Sequence, residues 1–412
     1  MNRILNMSLR GLTLASRFLL IFFLARLLDP GELGLYGLLA ATISYALYLL
    51  GFDFYSFTTR EILKRERKEW GGLLKSQVGL SAVLYVVFLP LLVLVFIQDL
   101  LPWKVAGWFF ILLVFEHVAQ ELGRLLIAIS QQLTASLLLF LRQGVWVLAA
   151  IGLMYVDTDL RSLELVLAAW TLGGMLAVCV GAWRLSQLGI SGWQRSIDWQ
   201  WIIKGLRIAL PLLAATLAIR GVFTLDRYWF EALSSREVLG AYVLFMGFCG
   251  ALMAFLDAGV FAFIYPGLIS AHNKGEDAAF RQGMRRLLTQ TLALSLGFAL
   301  AALITIGPIL TWLDRPLYIE HQGLMYWLLL AMILYGVGMV SHYGLYAQGK
   351  DTPIIYSHIA SLPVFVVVTW LASFHWPYLA VPLGLCVAFT LILVWKTYAY
   401  VRLTPVNRVH SS

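Results

Sequence analysis

The sequence predicts an all-α polytopic membrane protein of about twelve transmembrane helices in two six-helix lobes related by a pseudo-twofold. Three observations predict it. The 412 residues are 61% hydrophobic and 13% charged, where soluble domains carry about 25% charged residues, so no water-soluble core could hide the apolar surface. Runs of about 20 apolar residues recur along the whole chain, each long enough to cross a hydrocarbon layer of roughly 30 Å as a helix. The runs also fall into two sets of six that share a weak internal repeat.

The first set is expected at 11–28, 35–56, 73–97, 105–129, 133–154 and 163–183, and the second at 206–229, 239–269, 287–312, 322–346, 353–374 and 378–398. The first run carries Arg17 and no small-residue cleavage site follows it, so a cleaved signal peptide is not expected. Asp29-Pro30-Gly31-Glu32 and His375-Trp376-Pro377 are turn sequences between spans. The segment after Arg184 carries Trp193, Trp199 and Trp201, as an interfacial connection would. The organisation expected is therefore an N-terminal lobe at 1–190, a cytoplasmic interfacial linker at 191–205, a C-terminal lobe at 206–400 and a short tail at 401–412. The repeat supports the division. Leu33-Gly34-Leu35-Tyr36 and Leu239-Gly240-Ala241-Tyr242 each begin the second helix of a half, and Asp53 and Asp257 follow near the far ends of those helices.

A formal charge of +8 invites a nucleic-acid reading, but the positions of the charges exclude it. Of the 30 lysines and arginines, about 20 fall on one side of the spans, Lys396 among them. Arg26, Lys104, Arg161, Arg236 and Arg315 fall on the other, and Arg17, Arg124, Arg142, Arg220 and Arg227 fall within spans. That bias places both termini in the cytoplasm.

Polar residues inside the spans are the candidates for function, because charge at bilayer depth costs several kcal/mol unless it meets partners or water. Glu116, His117, Gln120, Glu121 and Arg124 occupy about 140° of one face of the fourth span at 100° per residue. They line either a cavity or a buried ion-pair network joining Glu121 to Arg124. Thr216, Arg220, Thr224 and Arg227 share a face of the seventh span, which Pro211 opens. Arg10, Thr13 and Arg17 share a face of the first span, and Arg142 lies mid-depth beside Gln143 in the fifth. Asp53 and Asp257 are candidates for ion coupling or counter-ions to nearby arginines. His342 and His358 have no carboxylate neighbours in sequence and read as helix-to-helix hydrogen bonds. Cys179, Cys249 and Cys386 are far apart in apolar runs and read as packing residues. No phosphate-binding glycine loop, nucleophile elbow or metal-ligand cluster is present, so neither an enzyme nor a cofactor is expected.

The opening pattern combines a cationic first helix with Leu27-Leu28-Asp29-Pro30-Gly31-Glu32-Leu33-Gly34-Leu35-Tyr36-Gly37. Leu50-Gly51-Phe52-Asp53 and Thr58-Thr59-Arg60-Glu61 follow. It resembles the polysaccharide flippase family, which includes the O-antigen flippases, within the multidrug, oligosaccharidyl-lipid and polysaccharide exporter superfamily. The resemblance implies two six-helix lobes around a cationic central cavity that opens alternately to the two sides. It also implies export of undecaprenyl-diphosphate-linked oligosaccharides, with Arg17 matching the family's first-helix cation. The implied partners are the lipid-linked oligosaccharide, membrane lipids, and the glycosyltransferases and polymerase of the same polysaccharide pathway. The mid-membrane arginines Arg17, Arg124, Arg142, Arg220 and Arg227 suit a diphosphate independently, through charge-assisted hydrogen bonds. Two other readings compete. A cation-coupled multidrug exporter of the same superfamily would want more acidic walls, and a membrane-embedded polysaccharide polymerase or ligase would want larger external loops than this sequence provides.

Overall fold

A computed structural model describes residues 2–404, which form helices and short connections. Among them, twelve helices are long and apolar enough to cross a membrane. They are α1 (Ile4–Leu27), α2 (Pro30–Gly51), α3 (Arg67–Ile97), α4 (Trp103–Ala128), α5 (Gln132–Val156), α6 (Leu163–Gln187), α7 (Trp199–Leu233), α8 (Arg236–Asn273), α9 (Asp277–Leu313), α10 (Gly323–Ala347), α11 (Thr352–Ser373) and α12 (Pro377–Leu403). Each expected span corresponds to one of them, in order. The turn residues act as the sequence suggests: Asp29 accepts from the Gly31 N–H at 3.2 Å and Pro30 opens α2. Ser162 and Ser235 cap α6 and α8 in the same way.

The helix α9 begins ten residues before its expected start, because an apolar window ends at Arg281, Arg285 and Arg286 whereas these strong helix formers extend the helix. Of the expected tail, 405–412 lies outside the described residues. Apolar side chains cover much of the surface: on α9, Leu296, Leu300 and Ile304 are 66%, 61% and 65% exposed, as a hydrocarbon solvent permits. This is a multi-pass membrane protein.

The chain forms two compact units, Met1–Leu217 and Ala218–Ser412. In the first, α4 packs on α6 and α1 on α5. Gly173 lets α6 approach α5 closely, since a Cβ there would lie 2.6 Å from Trp146 and 2.7 Å from the Leu141 carbonyl. The connection into α7 lies on α3. The Gly71 N–H donates to the Ser191 carbonyl at 2.9 Å, Arg195 pairs with Glu69 at 3.1 Å, and Gly192 turns with a φ of +90° against the Lys68 carbonyl. Trp193 and Trp199 are exposed, whereas Trp201 turns inward. It is buried with Phe54 and Phe57, its ring 5.3 and 5.1 Å from theirs. In the second unit α10, α11 and α12 pack closely, and Phe230 stacks on Tyr242 at 4.5 Å.

Cys249 and Cys386 are buried and donate to the Met325 and Trp327 carbonyls. Cys179 is exposed on α6, so the reading as a packing residue does not hold for it within the protein interior. The outward face of a lipid-solvated helix is as apolar as its inward face, so hydropathy alone did not separate them.

Candidate functional site

The polar residues of α4 are brought into one cluster with α1, α3, α5 and α6, though they do not point one way. Glu116 and His117 are buried, 5% and 3% exposed. A carboxylate so placed costs several kcal/mol unless a cation and hydrogen bonds meet it. Glu116 has both: Oε1 accepts from Trp170 Nε1 at 2.8 Å, and Oε2 lies 3.4 Å from Arg142 Nε in an ion pair that lacks hydrogen-bond geometry. His117, one residue on, faces α3 instead, with Nδ1 2.8 Å from the Tyr85 hydroxyl. Glu121 also turns toward α3 and accepts from Gln77 at 2.6 Å, while its other oxygen accepts from Arg124 at 2.8 Å. The guanidinium of Arg124 lies 3.7 Å from the centre of the Tyr55 ring. The Glu121 to Arg124 ion pair named as an alternative in the sequence is therefore present, and it stands beside cavities rather than in place of them.

A π-helical turn, Leu141–Val145, positions Arg142 and Gln143 on α5. Such turns re-aim side chains within a helix and recur at functional sites. The Arg142 carbonyl accepts from Trp146 Nε1 at 2.9 Å, and Trp146 stacks on Trp170 at 5.9 Å and 12°, so the indole pair braces both ends of the Glu116 to Arg142 contact. Gln143 Oε1 accepts from Arg17 at 3.2 Å, which ties the first-helix cation to the same turn. Arg10 Nε donates to Ser136 at 3.0 Å.

Two cavities adjoin the cluster. One, of about 250 Å³, is lined by Arg10, Arg124 and Arg142 with Gln120 and Ser136. Arg124 and Arg142 pair with Glu121 and Glu116 while Arg10 bonds a hydroxyl, so these five charges leave one net positive charge at the wall, and Arg17 beside it adds a second. The other, of about 380 Å³, is mostly apolar and places Gln77, Tyr85, His117 and Glu121 along α3 and α4. Arg10 was paired with Arg17 by its helical spacing, but its part in a cavity wall was not foreseen.

The remaining candidates are placed as follows. Phe52 and Asp53 both have a φ of +51°, which breaks the chain between α2 and a short helix, Tyr55–Lys64, and the Asp53 carbonyl accepts from Ser56 at 2.8 Å. In the second unit Arg227 is held by its neighbour Asp226 at 3.0 Å, and Asp226, fully buried, also accepts from the Tyr242 hydroxyl at 2.7 Å. Arg220 is exposed, and Asp257, also exposed, opens a second π-helical turn, Asp257–Phe261. The hydroxyls of Thr13 and Thr224 donate to carbonyls one turn earlier in their own helices, at 2.8 and 2.9 Å.

One cluster was missed. Lys396 was counted with the cytoplasmic cations because it stands near the end of the last apolar run, where a lysine normally snorkels to water. In the structure it is fully buried, with Nζ 3.1 Å from His342 Nδ1 and 2.8 Å from His358 Nε2. Among the described residues no group of three His, Cys, Asp or Glu is placed to hold a metal ion.

No family model and no curated protein sequence matches this chain. Solved structures do match in fold. An inward-facing multidrug resistance MATE family transporter of the MOP superfamily is 13% identical, with a TM-score of 0.76 over 98% of this chain and 99% of its own. The lipid II flippase MurJ in an inward closed conformation is 10% identical, with a TM-score of 0.74 over 97% of this chain and 87% of its own. A mutant of the Vibrio cholerae MATE transporter VcmN is 16% identical, with a TM-score of 0.56 over 98% and 99%. At these identities the likeness shows the fold: twelve membrane helices arranged as in MATE transporters and MurJ. The MATE transporter and MurJ score within 0.02 of each other, one a multidrug resistance transporter and the other a lipid II flippase, so the fold alone does not fix a substrate.

Proposed function

We propose that this protein is a flippase that translocates an undecaprenyl-diphosphate-linked oligosaccharide, an O-antigen or other surface polysaccharide repeat unit. Movement runs from the cytoplasmic to the periplasmic leaflet of a bacterial inner membrane by alternating access. The observation that carries the reading is the cavity walled by Arg10, Arg124 and Arg142. A diphosphate needs several charge-assisted donors in a low dielectric, and guanidiniums supply them as rigid forks. The net positive wall disfavours a cationic guest. Arg17, tied to Gln143, adds a further donor beside the cavity, and Arg220 is proposed to act from the second unit. The cytoplasmic bias of lysine and arginine supports the orientation of the chain with both termini in the cytoplasm, and the acidic residues Glu116, Glu121, Asp53 and Asp257 are available for ion coupling.

Export of lipophilic cations is the second reading, favoured by the apolar cavity that carries Glu121 and by the MATE fold likeness. Surface-polysaccharide display in cells, at matched membrane abundance of each variant, separates the two. Each charge-assisted contact is worth roughly 1.5 to 3 kcal/mol, or about ten- to a hundredfold in affinity. Arg17→Ala and Arg10→Ala are therefore expected to lose most of the display and Arg17→Lys to retain part. Normal display in both alanine variants, with drug resistance lost on Glu121→Gln, would establish the multidrug reading instead.

A further inference from the structure

We infer that Lys396, His342 and His358 form a proton-binding site in the second unit, where a proton is taken up and released as the protein works. The cluster is built by three helices. Lys396 comes from the packed face of α12, toward its C-terminal end, His342 from α10 and His358 from α11, and Nζ lies within hydrogen-bond distance of one nitrogen on each ring. The two imidazole planes lie 22° apart with centroids at 6.0 Å, so the amine bridges two similarly oriented rings.

What surrounds the cluster gives it this role. Among the described residues Lys396 makes no ion pair. Arg220 of α7 acts on His358 as a like charge, and Tyr343 and Tyr346 stand against His342 with ring centroids at 5.5 and 6.2 Å. Asp257 of α8 acts on Tyr343. A buried ammonium without a carboxylate keeps most of its desolvation cost, which two imidazole acceptors recover only in part. A permanent structural cation at this place would call for an aspartate or glutamate, as Arg142 and Arg227 have. Three nitrogen bases in hydrogen-bond contact instead hold a proton in common and titrate as a unit. On loading, one N–H bond forms on a nitrogen lone pair of the cluster; on release it breaks and the proton returns to water. An ionisable group at this depth without a structural counter-ion marks a proton path in a transporter.

The test has two parts, and only the second rests on the flippase reading. Purified protein in detergent is titrated from about pH 5 to pH 9 with an indicator dye, comparing wild type with Lys396→Arg, which keeps a charge that does not dissociate in this range. Wild type is expected to exchange one more proton per molecule than the variant, and equal exchange overturns the proposal. Wild-type protein carrying ¹³C at the lysine Cε carbons gives the same answer without touching the core. If every lysine signal stays at its charged position over that range, Lys396 is a fixed cation and the proposal fails.

In proteoliposomes with an imposed pH gradient, movement of a fluorescent undecaprenyl-diphosphate-linked sugar is then followed. The gradient is expected to accelerate wild type at least tenfold and to leave Lys396→Arg unaffected. Equal acceleration of both sinks the coupling role. No movement in either, with the extra proton still found, would leave the site standing and remove the substrate.

Discussion

Arg142 in the first unit and Lys396 in the second are both cations set inside apolar helices, but their partners differ in kind. Arg142 meets Glu116, which a tryptophan indole also holds, and Arg124 meets Glu121, which Gln77 also holds. Lys396 meets two imidazoles and no carboxylate among the described residues. The second unit has the other solution as well, since Arg227 is paired with Asp226 and Asp226 with Tyr242. The contrast lies between sites, and it separates two tasks. A guanidinium fixed by a carboxylate stays charged and can present its remaining donors to an anion, whereas an amine among imidazoles can exchange its proton.

The largest effect is expected where a paired charge is broken at full burial. Asp226→Ala strands Arg227 and leaves the Tyr242 hydroxyl without its acceptor, and removing one partner of such a pair costs about 3 to 5 kcal/mol. Thermal unfolding in detergent is the measurement. A loss below about 1 kcal/mol would mean that water reaches Asp226 and that the second unit is not packed as described. Glu116→Gln is a milder break, because an amide oxygen still accepts from Trp170 while Arg142 loses its counter-charge. A loss of roughly 1.5 to 3 kcal/mol is expected by the same measurement. If Glu116→Gln instead costs as much as Asp226→Ala, the two carboxylates are equally sequestered and the first-unit cluster is a structural tie rather than a site.

Helix number, order and approximate extent were legible because a hydrocarbon solvent imposes a length on every apolar run. Helix propensity then carried α9 past the apolar limit at Arg281. The chemistry was legible only one helix at a time. The spacing of Glu116, His117, Gln120, Glu121 and Arg124 placed them on one broad face, yet periodicity does not say which neighbour each side chain meets. The face proved to border two, with α5 and α6 on the side of Glu116 and α3 on the side of His117 and Glu121. The π-helical turn that aims Arg142 leaves no mark in an apolar sequence. Lys396 was misplaced for a physical reason: a lysine near a span end can snorkel, and only the packing of α10 and α11 over it shows that this one does not.

The most direct test of the account is binding of undecaprenyl diphosphate to the purified protein, measured as Kd for wild type and for Arg10→Ala. Arg10 is a cavity arginine with a hydroxyl partner and, among the described residues, no ion pair, so its loss should leave no buried carboxylate behind to disturb the fold. A Kd weakened by about ten- to a hundredfold is expected, with thermal unfolding unchanged. An unchanged Kd in a folded Arg10→Ala protein would contradict the cationic cavity as the diphosphate site.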